Sequence, residues 1–84
     1  KRKIMSYTYY LNERVICDES GKQYIVYGIE AVSSTGIVLQ SFPDIFFSKH
    51  KAEHLVDLCN KDKLDLVHLL DVVEDALAEQ YIVL

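Results

Sequence analysis

Leu11-Asn12-Glu13-Arg14-Val15-Ile16-Cys17-Asp18-Glu19-Ser20-Gly21-Lys22-Gln23-Tyr24-Ile25-Val26-Tyr27-Gly28-Ile29 is the stretch that decides the fold. Two β-rich runs flank a polar, glycine-containing segment, the pattern of a β-hairpin. Residues 18–22 form a five-residue loop if Cys17 pairs with Gln23. Odd positions then face odd positions along both strands, with Val15 opposite Ile25 and Leu11 opposite Ile29. A loop one residue shorter would send the second strand's side chains to the other face, because the side-chain period is two. The five-residue loop is preferred because it unites Met5, Tyr7, Tyr9, Leu11, Val15 and Cys17 with Ile25, Tyr27, Ile29 and Ala31 on one apolar face. The opposite face, with Ile4, Thr8, Tyr10, Arg14, Ile16, Tyr24, Val26, Glu30 and Val32, is mixed.

Working outward, the strands are expected at residues 3–17 and 23–33. Ser34-Thr35-Gly36 makes the next turn, and a third strand covers residues 37–42, where Pro43 opposes continuation as a central strand. Gly28 in mid-strand marks a bulge, or a place where an aromatic or a helix lies close over the sheet. Beyond Pro43 the period changes. Ser48 stands as an N-cap. Ala52, Leu55, Val56 and Cys59 then define one face of a helix over residues 49–60. Asp65 is placed to cap a last helix, residues 66–81, with a buried stripe of Leu66, Leu69, Leu70, Val73 and Leu77, widened by Val72 and Ala76 and continued by Tyr81. Strands first and helices afterwards predict an α+β fold in one domain, residues 1–84: a three-stranded antiparallel meander with two C-terminal helices packed on one face.

Composition narrows the function classes. The chain has 84 residues and a formal charge of −4. Half the residues are hydrophobic, which excludes a disordered or low-complexity chain. No apolar run approaches the ~18 residues of a membrane-crossing helix. Lys1-Arg2-Lys3 gives a basic start without the apolar segment of a signal peptide, and reads as a solvated arm. Cys17 and Cys59 are too few for a disulfide framework and read as two buried thiols in a reducing cytoplasm. Residues 1–42 carry five Lys/Arg against four Asp/Glu, and residues 43–84 carry four against nine. A chain this acidic, without a basic stripe, is a poor nucleic-acid binder, because phosphate neutralisation supplies most of that affinity.

Three groups of residues could carry function. His50 and His54, at i and i+4, share one side of the first helix, a spacing that can chelate a divalent metal. The Glu of a zinc-peptidase helix motif is misplaced in His50-Lys51-Ala52-Glu53-His54, and no third ligand is indicated. His68, Asp71, Glu74 and Asp75 form an acidic ridge on the last helix, suited to a basic partner surface. The strand tyrosines, with Tyr10 and Tyr24 beside Val26 on the mixed face, pack across strands or form a dimer interface. No Walker spacing, nucleophile elbow or glycine-rich cofactor loop is present.

Tyr27-Gly28-Ile29-Glu30 and the helix segment His68-Leu69-Leu70-Asp71-Val72-Val73-Glu74-Asp75-Ala76-Leu77 carry a resemblance. They resemble a small domain family of unknown function found in short cytoplasmic proteins of Gram-positive anaerobes. The resemblance implies no activity, cofactor or catalytic residue. The residues and the resemblance together lead to the expectation of a non-enzymatic cytoplasmic interaction or regulatory module without a cofactor. Its partner is a protein or a second copy of itself, not nucleic acid or membrane, met at His68, Asp71, Glu74, Asp75, Tyr10, Tyr24 and Val26. The alternatives are a metal-dependent enzyme using His50, His54 or His68 with Asp71 and Asp75, and a single-stranded nucleic-acid binder using the tyrosines.

Overall fold

The structure is a computed structural model that describes residues 6–81. The expectations for residues 1–5, and for the packing of Tyr81, lie outside what it describes. Strand β1 (Tyr7–Cys17) pairs antiparallel with β2 (Gln23–Ser33), and β2 with β3 (Val38–Phe46). Helix α1 (Lys49–Lys61), a 3-10 turn (Leu66–His68) and helix α2 (Leu69–Tyr81) follow. This is the α+β meander with two C-terminal helices that the residue pattern predicts.

The hairpin register is the one that unites the apolar positions: Cys17 pairs with Gln23, Val15 with Ile25 and Leu11 with Ile29. The loop is built around Asp18, whose Oδ1 accepts from the Ser20 N–H (2.9 Å), the Ser20 hydroxyl (2.6 Å) and the Lys22 N–H (3.0 Å). These bonds favour the carboxylate and hold the Asp18 pKa below its ordinary value, the Ser20 hydroxyl contributing most. Gly21, at φ +85°, supplies the left-handed step the loop requires.

Strand β3 departs from expectation. It runs through Pro43 to Phe46 instead of ending at Phe42. Proline is tolerated because β3 is an edge strand and its missing N–H breaks no ladder. The ladder is also irregular there. Tyr27 pairs with Phe46 and Ile29 with Phe42, so two steps on β2 oppose four on β3. The extra residues arch over Gly28. A Cβ at that position would collide with the Phe42 carbonyl oxygen and sit 2.7 Å from Pro43 Cα, so the glycine is needed for a backbone crossing.

The helices cover the odd-numbered face. Tyr9, Ile29 and Ala31 from the sheet are buried with Ile45 and Phe46, the α1 residues Ala52, Val56 and Cys59, and Leu69 and Val73 of α2. Burying a side chain the size of Ile29 contributes about 2–3 kcal/mol. Ser48 caps α1 as expected, its hydroxyl accepting from the Lys51 N–H (3.2 Å). The helix ends in a Schellman arrangement: the Lys63 N–H donates to Asn60 O (3.2 Å) and the Leu64 N–H to Cys59 O (3.0 Å). Lys63 takes the left-handed position, φ 51°, that glycine usually fills.

Four expectations for individual residues need correction. Asp65 precedes the 3-10 turn but makes no side-chain cap bond; its carbonyl accepts from the His68 N–H (2.9 Å) instead. The last helix therefore opens as a 3-10 turn, and the α-helix starts at Leu69. That start turns Leu70 out of the stripe, leaving it 49% exposed. Cys17 is exposed near the hairpin tip, whereas Cys59 is buried, and both are free. Burial, with Asp62 adding to it, raises the Cys59 thiol pKa.

Candidate functional site

The acidic ridge is positioned by strand β1. The Tyr9 hydroxyl donates to Leu64 O (2.7 Å), and the Tyr7 hydroxyl accepts from the Leu66 N–H (2.8 Å). The two rings meet edge to face, with centroids 5.8 Å apart. Together they grip the chain where it leaves α1 and enters the 3-10 turn. Burial, followed by the nearby Tyr7 and Cys59, lifts the Tyr9 hydroxyl well above its ordinary pKa, so it stays a proton donor. Asn60 adds a second grip: its Nδ2 donates to Tyr9 O and its Oδ1 accepts from the Tyr9 N–H, both at 2.8 Å. An asparagine side chain thus occupies the outward polar groups of an edge strand, one way of blunting edge pairing. The alternation of apolar residues placed Tyr7 and Tyr9 on the packed face; it carried no signal for their hydroxyl partners, which lie more than fifty residues away.

With Leu69 anchored below, the outward side of this segment presents Val67, His68, Leu70, Asp71, Glu74 and Asp75 to solvent. Val67 is 78% exposed and stands beside half-exposed Leu70, so the ridge has an apolar centre that periodicity did not anticipate. Among the described residues, Asp71, Glu74 and Asp75 form no ion pair or side-chain hydrogen bond. Glu74 follows Leu70 and Asp71 by one helical turn, which places carboxylates next to the apolar spot.

The sheet residues of the expected surface are not brought to this ridge. Tyr10 and Tyr24 share the even-numbered face, but Tyr10 pairs with Glu30 and Tyr24 with Ile16. Tyr10 and Ile16 are six residues apart on β1, roughly 20 Å along the strand. Tyr10 is exposed. Tyr24 is half-buried, edge-on to Phe47, with its hydroxyl on Asp18 Oδ2 (3.1 Å). Val26 is buried and offers nothing to a partner. The bulge also carries Asp44 to this face, where Arg14 holds it through two guanidinium nitrogens, Nε to Oδ1 at 2.8 Å.

His50 and His54 are exposed on α1 and line a groove of about 560 Å³ between α1 and α2. Its apolar surface comes from Phe46, Leu55, Leu58 and Ala76, and its polar rim from His50, Lys51, His54 and Glu79. His68 lies on the 3-10 turn and does not line this groove. Among the described residues no three His, Cys, Asp or Glu side chains are grouped to hold a metal ion. Nor is any helix of the described residues long and apolar enough to cross a membrane.

The fold and these surfaces define a small α+β domain: an antiparallel meander roofed on one face by two helices, with a solvent-facing acidic ridge on the second. The chain belongs to the Family of unknown function (DUF6514), which it matches over residues 1–79. No curated protein and no solved structure matches it.

Proposed function

We propose that this chain is a non-catalytic cytoplasmic interaction module, regulatory in role, that docks a basic protein partner on the outward ridge of α2 and the turn before it. The observation carrying this reading is the exposed pair Val67 and Leu70 set among Asp71, Glu74 and Asp75, which have no partner among the described residues. Exposed apolar side chains supply desolvation energy at the centre of an interface, and surrounding charges supply orientation and on-rate. A helix with a basic rim and one or two apolar anchors has the complementary pattern. The tyrosine grip on Leu64 and Leu66 favours docking without rearrangement, which lowers the entropic cost of binding.

The test is quantitative capture from a native extract, with the wild-type chain and a Glu74→Lys/Asp75→Lys variant as baits. Proteins retained by the wild type should be lost from the variant, while both melt at the same temperature. Retention of the same proteins by both baits would remove the ridge from the account.

A second reading rests on the even face, which the helices leave open. There Tyr10 and Val38 are both about half exposed, and Val32 pairs with Val38 on one side and Thr8 on the other. This patch would serve self-association. Light scattering over a dilution series separates the two: a dimer broken by Tyr10→Glu supports it, and a monomer at all concentrations excludes it.

A further inference from the structure

The first turn of α1 reads Lys49-His50-Lys51 and contains no acidic residue. The N-terminus of a helix carries partial positive charge and favours Asp or Glu, so this turn has the opposite composition from one that stabilises its helix. The same turn opens onto the groove between α1 and α2. His50, Lys51 and His54 stand on its rim, while Leu55 and Leu58 continue its wall further along α1, with Phe46 and Ala76 completing the apolar surface. Along α1 the nitrogen donors His50, Lys51 and His54 come before or beside the first leucine of the wall, Leu55, with Leu58 a turn further on, while Phe46 adds an apolar ring from the end of β3. His50 to Leu58 spans eight helical steps, about 12 Å. The volume of about 560 Å³ falls within the ~300–1,000 Å³ of small-molecule sites.

We propose that this groove binds a single-chain amphiphile with an anionic head, a fatty acid carboxylate being the simplest. The carboxylate lies against Lys51 and the two imidazoles, and the alkyl chain runs over Leu55 toward Leu58. Imidazoles donate N–H to a carboxylate whether or not they carry charge, and the Lys51 ammonium adds a full charge. Among the described residues Glu79 is the one acid on the rim, and it disfavours the head on the α2 side. This site is separate from the ridge: the groove faces α1, and the ridge is on the outward side of α2. Neither reading depends on the other.

The experiment is a titration of the isotopically labelled full chain with decanoate below its micelle concentration, read by backbone amide and methyl shifts. Decanol and decyltrimethylammonium serve as controls. Saturable one-to-one shifts confined to the groove, from His50, Lys51 and His54 at the head to Leu55, Leu58 and Ala76 along the chain, with decanoate the tightest of the three, are expected. Lys51→Glu should weaken decanoate by about tenfold, and Glu79→Gln should tighten it. Leu58→Asp, at a position already partly exposed, should abolish binding with the fold's spectrum retained. No saturation, equal binding of all three amphiphiles, or shifts lying outside the groove would overturn the proposal. So would the same groove shifts produced by concentrating the protein alone, which would mean that a second copy fills it.

Discussion

The two ends of the β1–β2 hairpin carry the same alternation and meet opposite fates. At one end Tyr9, Ile29 and Ala31 are almost completely buried. At the other, on the same face, Val15 is 57% exposed and its partner Ile25 44%. Alternation assigns a side chain to a face; it does not say whether anything covers that face. Cover depends on the third strand and the helices. Pairing between β2 and β3 begins at Tyr27, so the hairpin beyond it is only two-stranded. Two strands without cover are marginal in water. What supports this end comes from the tail of β3 and the residue after it: Asp44 meets Arg14 and Phe47 meets Tyr24 on the even face. A half-exposed ion pair of this kind contributes at most about 1 kcal/mol.

Breaking the contrast most severely means attacking the point where the two ends join. Gly28→Ala should cost about 3–4 kcal/mol or prevent folding, because its Cβ meets the β3 backbone and not a side chain that could swing away. Chemical denaturation of the variant would measure the loss. A matched pair then compares the ends directly. Ile29→Ala should cost about 3–4 kcal/mol through transfer and cavity terms, and Ile25→Ala less than about 1 kcal/mol, by the same denaturation assay. Equal losses would mean that the hairpin end is covered in solution.

Tyr9→Phe sharpens the covered end. Losing the bond to Leu64 O should cost about 1–2 kcal/mol at neutral pH. The folded-state pKa of Tyr9 is raised, so the unfolded chain ionises first. The hydroxyl's stabilising effect is intact below pH ~10 and declines as the pH rises beyond it. The gap between wild type and Tyr9→Phe should therefore narrow above that pH in thermal melts. The smallest effect is expected at the end of α1. Lys63→Gly relieves a left-handed lysine and should stabilise the chain by about 0.5–1 kcal/mol, against a gain of nothing if φ 51° carries no strain.

Much of the architecture was legible because it follows from short-range patterns. The hairpin register came from matching apolar positions across a loop of known length. The start of α1 came from Ser48 and the spacing of Ala52, Leu55, Val56 and Cys59. What was not legible depends on contacts distant in sequence. Pro43 reads as a strand terminator until β3 is known to be an edge strand. Leu70 reads as core until the 3-10 turn rotates the helix start. Val26 reads as an exposed interface residue on a face that later proves locally filled, and Cys17 as a buried thiol at an end that none of the described residues roofs. The acidic half of the ridge is visible in the spacing of Asp71, Glu74 and Asp75. Its apolar centre is not, because helical periodicity puts Leu70 in the core stripe. The groove between α1 and α2 had no sequence signature beyond the pair His50 and His54.

Amide hydrogen exchange resolved along both strands tests the contrast most directly. Cover by β3 and the helices predicts high protection for the β1–β2 amides around Tyr9 and Ile29. Protection should be markedly lower around Val15 and Ile25, at the open end of the same ladder. Uniform protection along the hairpin would contradict the account, since it would mean that the outer end is buried by something the described residues do not provide.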